Sequence, residues 1–214
     1  MPHEKKRSYH SALRARQASA TRMRIISAAE KLFTSLGYTG TTITGIAAQA
    51  NVAPQTVYAV FGSKKGIISA VVEHIHQSPR HKKMHGEALE STDPDTFLQS
   101  IAHLIADIYE TWGNLFSSLR GGITAEQELA QFLLQQHMQD RDLMRQDLRH
   151  LQDIAPACRG RAFEQSLDIF WTLLSFDLYL SLVRLRGWSR AEYEAWLASL
   201  LRQQLLGPNP AQGL

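Results

Sequence analysis

Between Thr41 and Phe61 the chain offers two helical segments of barely two turns each, joined by a turn too short to hold anything else. Thr41 or Thr42 supplies the side-chain oxygen that a helix start favours. Ile43, Ile46, Ala47 and Ala50 then recur at helical spacing. Asn51 can enter the left-handed conformation that a β-branched residue such as Val52 resists. Pro54 suits the first position of the next helix, where its missing N–H is not needed. Small Ala47 lets the two helices approach, and Ile46, Val52 and Val57 can seal the space between them. Two short helices so joined form a helix-turn-helix, and in DNA-reading proteins the second of them enters the major groove. Here that second helix is too short to be a core element and too polar at Gln55, Thr56 and Tyr58 to be merely buried.

The rest of the chain reads as helix as well. Alternating β-branched runs are absent, and Gly and Pro separate segments of helical period. A first helix begins near Thr21, with Ile25, Ile26, Ala29, Leu32, Phe33 and Leu36 on one face and Gly37 placed to cap its end. Before it, residues 1–20 are expected to form a flexible basic arm containing Lys5, Lys6, Arg7, Arg14 and Arg16. Ser63 caps a fourth helix carrying Ile67, Ile68, Val71, Val72 and Ile75. Pro79 forces Ser78 out of helical geometry and marks a domain boundary. The polar stretch after it is expected to be a flexible connection. Asp93-Pro94 opens a helix with Phe97, Ile101, Leu104, Ile105, Ile108 and Tyr109, with a break expected around Gly113. Thr124 and Gln127 have capping-box spacing before a helix with Leu129, Phe132 and Leu133, which Pro156 and Gly160 terminate.

From Phe163 to Leu185 nearly every second residue is apolar. Placed at about 100° per residue on one continuous helix, Leu167, Trp171, Leu174, Leu178, Leu182 and Leu185 share one face. Ile169, Leu173, Phe176, Leu180 and Val183 share the opposite one. A helix apolar on two sides needs two sets of neighbours, and its own body supplies one. The other set is expected from a second copy of the chain, through Leu178, Leu182 and Leu185 or, if the opposite face points outward, Phe176, Leu180 and Val183, together with Trp196, Leu197 and Leu200 of the last helix. That helix opens at a Ser189–Glu192 capping box and stops at Gly207-Pro208.

Charge divides the chain. Residues 1–80 carry eleven Lys and Arg against three acids, whereas residues 81–214 carry twelve against seventeen. A basic head on an acidic body fits a head that meets a polyanion. Cys158 is the single cysteine, which leaves no intramolecular disulfide and suits a reducing cytoplasm. No stretch approaches the ~18 consecutive apolar residues of a membrane span, and the N-terminus lacks a signal's apolar region. A soluble, cytoplasmic protein without a membrane partner is the expectation. His74, His81 and His85 have ligand spacing, but Pro79 interrupts their helix and no Cys or carboxylate joins them at metal spacing, so no metal or cofactor is expected. No phosphate-binding Gly-rich loop and no nucleophile signature is present, so no catalytic residue is assigned.

The string TRMRIISAAEKLFTSLGYTGTTITGIAAQANVAPQTVYAVFGSKKGI resembles the head of the tetracycline-repressor-like (TetR/AcrR) regulators. Ile25-Ile26, Ala28-Ala29, Leu32-Phe33, Gly37-Tyr38, Thr41-Thr42, Ile46-Ala47, Val52, Thr56, Tyr58, Phe61, Lys64 and Ile68 carry the likeness, in register over about forty-seven residues. Asn51 stands where the family usually has Gly, and Val60 where His is common. The resemblance implies an all-α protein of about nine helices. A three-helix head with the helix-turn-helix would occupy residues 21–78, a helical ligand-sensing and dimerisation body 79–207, and a tail 208–214. It further implies that Thr42 caps the second helix and touches a phosphate, that Pro54, Gln55 and Thr56 face the major groove, and that Tyr58 and Lys64 hold the phosphate backbone. Chemistry agrees: Gln pairs bidentately with adenine, Thr and Pro pack on a thymine methyl, and Tyr and Lys reach phosphate oxygens.

The expectation is a homodimeric regulator of transcription, most simply a repressor released from a palindromic double-stranded operator by a small-molecule effector. An activator of the same fold differs only in operator position. A helical enzyme or interaction protein with an incidental basic head is the reading from another class. His103, Tyr109, Trp112, Phe116, Phe132, Phe170, Trp171 and Asp177 either line the effector's pocket or, for the aromatic members, form ordinary helical core.

Overall fold

A computed structural model describes residues 3–121, 127–156 and 162–207. Among the described residues every regular element is helical. In order they are α1 (His3–Gly40), α2 (Ile43–Ala50), α3 (Pro54–Phe61), α4 (Lys64–His76), α5 (Pro79–Leu89), α6 (Pro94–Gly121), α7 (Gln127–Ile154) and α8 (Phe163–Leu173). There follow α9 (Phe176–Tyr179), continued by a π-helical stretch (Leu180–Leu185), and α10 (Arg190–Leu206). The chain divides into two compact units: Met1–Ile75 with Ser117–Phe132, and His76–Phe116 with Leu133–Leu214. The division after Ile75 lies three residues before the boundary expected after Ser78, and the first unit also takes Ser117–Phe132.

In the first unit, α1 buries Ile25, Ile26, Ala29 and Phe33 against Ile46, Ala47, Val57, Ile67, Ile68 and Val71. Each of the larger of these side chains contributes roughly 1.5–3 kcal/mol, which is what holds helices as short as α2 and α3, since alone they would not form. Gly37 breaks α1 at φ 72°, ψ 174°, a backbone shape that L side chains rarely adopt. Beyond it Tyr38 is buried and stacks on Phe33 at 5.5 Å between ring centroids. The basic arm expected to be flexible is instead the first half of α1. Residues 3–36 contain neither Gly nor Pro and are rich in Ala, Arg and Leu, all good helix formers.

In the second unit, Phe97, Leu98 and Ile101 of α6, Leu148 and Leu151 of α7, Leu167 and Phe170 of α8, and Tyr193, Leu197 and Leu201 of α10 form one core. Three further expectations are corrected here. α6 runs through Gly113 without a break; the Phe176 ring lies 3.4 Å from where a Gly113 side chain would begin, so this glycine serves packing. The expected flexible connection contains α5, started by Pro79 and pinned by buried His81 and Ala88. The expected single helix from Phe163 to Leu185 is interrupted: Ser175 is extended (φ −71°, ψ 147°), and the freed Leu174 carbonyl accepts the Tyr109 hydroxyl at 2.5 Å. The break shifts the helical phase, so the two faces drawn across it do not persist. Leu174 and Tyr179 are buried while Leu185 is 73% exposed. The Thr124 cap and Gly160 lie outside the described residues.

α5 is fastened through its histidines. His81 Nε2 lies 3.1 Å from Asp107 of α6, and His85 Nε2 lies 2.6 Å from Asp147 of α7. Asp107, buried, also accepts from Arg80 at 2.6 Å and from Arg190 of α10 at 3.2 Å. Histidines that looked like a discarded metal motif in the sequence are therefore carboxylate partners. Among the described residues no group of three or more metal-ligating side chains is brought together.

Candidate nucleic-acid interface

Local chemistry builds the reading head residue by residue. Thr42, extended at φ −115°, accepts from the Gly45 N–H at 3.0 Å and caps α2. Asn51 takes the left-handed conformation (φ 53°, ψ 54°). Its N–H reaches the Ala48 carbonyl at 3.1 Å and that of Val52 reaches Ala47 at 3.0 Å, the bonding pattern of a Schellman termination. Asn thus performs the turn for which the resemblance favours Gly. Pro54 opens α3, whose inward residue Val57 is completely buried. Gln55, Tyr58, Ala59 and Val60 remain exposed, and Pro54, Thr56 and Phe61 are half-buried. Four of the expected contact residues therefore share α3, and Thr42 stands exposed at the start of α2.

Lys64, an expected phosphate contact, also makes an internal contact. Its ammonium donates to the Tyr38 carbonyl at 3.0 Å and sits 4.2 Å from the centroid of the Tyr38 ring. It ties the start of α4 to the segment beyond Gly37, so any phosphate contact would add to this internal one. Arg22 stacks over the Phe61 ring at 4.8 Å and pairs with Glu73 at 3.7 Å, holding the end of α3 against α1 and α4.

Two residues of the head escaped the sequence reading. Thr44, exposed in the first turn of α2, donates to the Thr42 hydroxyl at 3.3 Å. Gly66 lies where any side chain would begin 2.0 Å from the Phe61 carbonyl oxygen. Its signal was present: glycine in a first helical turn is costly unless close approach requires it.

The first turns of α2, α3, α4 and also α5 carry no acid, whereas those of α6, α7, α8 and α10 carry Asp95, Glu128, Glu164 and Glu192. Acids there would neutralise the positive helix end and repel phosphate.

Residues 25–71 match the family described as bacterial regulatory proteins, tetR family. Over these residues, the head, the chain matches the TetR family. Among curated TetR-type proteins, it is 35% identical over 97 residues to the HTH-type transcriptional repressor NicS of Pseudomonas putida, a stretch covering 45% of each chain. It is 32% identical over 78 residues to the regulator TtgR of the same species, covering 36% of this chain and 37% of that one. The matched part thus spans less than half the length of these relatives. Among solved structures, Bacillus subtilis FadR in complex with stearoyl-CoA superposes with a TM-score of 0.68 at 19% identity, covering 87% of this chain and 99% of that one. A structure from Rhodococcus sp. assigned to the TetR family gives 0.72 at 16% identity over 87% and 99%. At these identities the likeness speaks for the fold alone. TetR proteins are a family of regulators, not of enzymes.

The body gathers only part of the expected effector lining. Tyr109 and Phe116 of α6 meet Phe176 and Tyr179 of α9 with ring centroids 5.2–6.0 Å apart, and Tyr193 stands edge-on to Tyr179 at 5.2 Å. Burial pushes the hydroxyls of Tyr109 and Tyr193 well above the ordinary tyrosine pKa. Among the described residues the buried Tyr193 hydroxyl and Trp112 indole N–H find no hydrogen-bond partner. His103 is not in this nest; it is exposed, pairs with Glu194 at 3.1 Å and borders an open groove with Arg80 and Lys83. Asp177 is exposed, Phe132 belongs to the first unit, and Phe170 is simply core. Trp171 is half-buried on α8. Phe176 and Tyr179 were missed because they follow the break at Ser175, and Tyr193 because it meets the nest only through Tyr179, fourteen positions earlier.

Proposed function

We propose that this chain is a homodimeric repressor that holds a palindromic DNA operator and is released by a small-molecule effector. The observation that carries the DNA reading is the exposed face of α3. Gln55 and Tyr58 project from a helix anchored by one buried residue, beside helix starts from which acids are absent. Gln55, with Pro54 and Thr56, reads bases; Tyr58 and Thr42, and Lys64 from its place at Tyr38, meet phosphates. Two heads in successive major grooves stand about 34–36 Å apart, which is why a dimer is needed.

Support for the dimer comes from Phe163–Leu185. This segment is apolar enough by composition to cross a membrane, yet only 28% of its most apolar stretch is buried within the chain, and Ser175 breaks it. Leu178, Leu182 and Leu185 with Trp196 and Leu200 remain the candidate surface. Leu197 is withdrawn from it, because it is fully buried in its own chain's core. The effector reading rests on the aromatic nest, whose Tyr193 hydroxyl has no partner among the described residues, a cost of about 1–3 kcal/mol unless a ligand answers it. FadR of similar fold was crystallised with stearoyl-CoA, and only responsiveness to a small molecule is carried over here.

Selection from a random pool of duplexes with the purified chain, followed by fluorescence anisotropy, tests the proposal. A recovered palindrome with half-sites about one helical turn apart is expected. Retention of no duplex at 0.15 M salt would overturn it.

A further inference from the structure

We propose that the N-terminal half of α1 is a second DNA-contacting element, a rigid basic rod that engages phosphates flanking the half-site read by α3. The inference rests on the DNA-binding reading above and extends it to residues outside the family match, which begins at Ile25.

Residues 5–29 contain no Asp or Glu and carry seven Lys and Arg: Lys5, Lys6, Arg7, Arg14, Arg16, Arg22 and Arg24. The helix that bears them starts at His3 and is unbroken until Gly37. Where its side chains are described, residues 13–20 are all exposed, including Arg14 and Arg16. Such a segment has no folded core of its own to serve.

Chemistry favours DNA over other polyanions. A membrane-surface helix needs a continuous apolar face, and between residues 3 and 22 the only large apolar side chains are Tyr9 and Leu13. The same continuous helix buries Ile25, Ile26 and Phe33 in the head that carries α3, so the rod has a fixed direction from that head. Twenty residues of helix ahead of Ile25 span about 30 Å, close to one turn of duplex. A flexible tail would sample phosphates at many distances, whereas a rod of this length requires DNA at one distance.

The test uses the full chain, a chain lacking residues 1–18, and Arg14→Ala/Arg16→Ala, each verified as helical by circular dichroism. Affinity is measured against salt on the operator selected by the full chain, in duplexes with no flank and with about ten base pairs on each side. Each phosphate contact adds about 0.9 to the slope of log K against log salt. On flanked DNA the double variant is expected to lower the slope by about 2 and to weaken binding on the order of tenfold at 0.15 M salt. Deletion is expected to lower the slope by up to about 4–5, with little change for either variant on unflanked DNA. Equal slopes for all three proteins on flanked DNA would overturn the rod alone. Equal slopes together with flotation of the full but not the shortened chain on anionic phosphatidylglycerol vesicles would assign it to membranes instead. Failure of the full chain to select any duplex would remove the DNA reading itself.

Discussion

Gly66 and Gly86 allow one chemical change to be tested in two opposite settings. Both lie inside helices, where replacing Gly by Ala ordinarily stabilises by roughly 0.5–1 kcal/mol through the unfolded chain's lost freedom. At Gly86 in α5 nothing lies within 4 Å of the new methyl, so that gain is expected in full. At Gly66 the methyl carbon would stand 2.0 Å from the Phe61 carbonyl oxygen and 3.1 Å from its carbon, where real contacts do not fall below 3.0 Å. Both contacts are with backbone, so no rotamer can relieve them, and the end of α3 must part from the start of α4 by about 1 Å. Overpacking of this kind costs roughly 1–3 kcal/mol. The same displacement strains the Ser63 cap, whose hydroxyl accepts from the Gly66 N–H at 3.1 Å, a bond of about 1 kcal/mol. These losses exceed the propensity gain. In thermal melts at about 2–4 °C per kcal/mol, Gly66→Ala should lower Tm by about 2–8 °C and Gly86→Ala should raise it by about 1–4 °C. Anisotropy should add a loss of DNA affinity for Gly66→Ala alone, since the displaced element carries Gln55 and Tyr58. A Gly66→Ala protein that melts at or above the unmodified chain would refute this account of how α3 is seated.

Four further outcomes are expected. Gln55→Ala should cost about 1–3 kcal/mol on the selected operator and relax preference at one base position, whereas Tyr58→Phe, which removes an uncharged hydroxyl from a phosphate, should cost about 1.5–3 kcal/mol with the preferred sequence and the salt slope unchanged; both are read from anisotropy titrations. The hydrogen bond to Asp147 raises the His85 pKa above 6.5 against the opposing effect of burial. Its stabilisation is therefore complete below pH 6.5 and lost as pH rises through the folded value, so Tm should decline from pH 6 to 8 and Asp147→Asn should flatten that decline. Asp107→Ala leaves Arg190 and buried His81 facing an empty carboxylate site and should destabilise by about 3 kcal/mol in denaturant titrations; unchanged stability would show the cluster to be ornamental. Leu185→Asp alters a side chain already 73% exposed, so the fold should persist while sedimentation shifts toward monomer; an unaltered dimer would move the interface elsewhere.

Much of the head was legible without coordinates because its signals are local. The cap at Thr42, the left-handed Asn51, Pro54 at the first position of α3 and the cap at Ser63 each depend on residues within three or four positions. A conformation decided by neighbours in sequence can be read from them. The capping box at Ser189–Glu192 was legible for the same reason. What escaped depended on partners far along the chain. Helical period across Phe163–Leu185 assumed a continuous backbone, and the break at Ser175 accompanies an acceptor bond from Tyr109, sixty-five positions away. That break, with the π-helical turn after it, separates buried Tyr179 from exposed Leu185. His81 and His85 looked like solvated residues on a linker, and only α6 and α7 supply the Asp107 and Asp147 that bind them. Lys64 carries the charge expected of a phosphate contact, yet its hydrogen bond is to Tyr38, twenty-six positions earlier. Gly66 is costly by propensity, and the reason it is retained is the 2.0 Å approach of a backbone atom from the preceding helix. Composition and short-range pattern set which residues become helix. The distances at which those helices pack determine which face is buried and which remains for DNA, effector or partner.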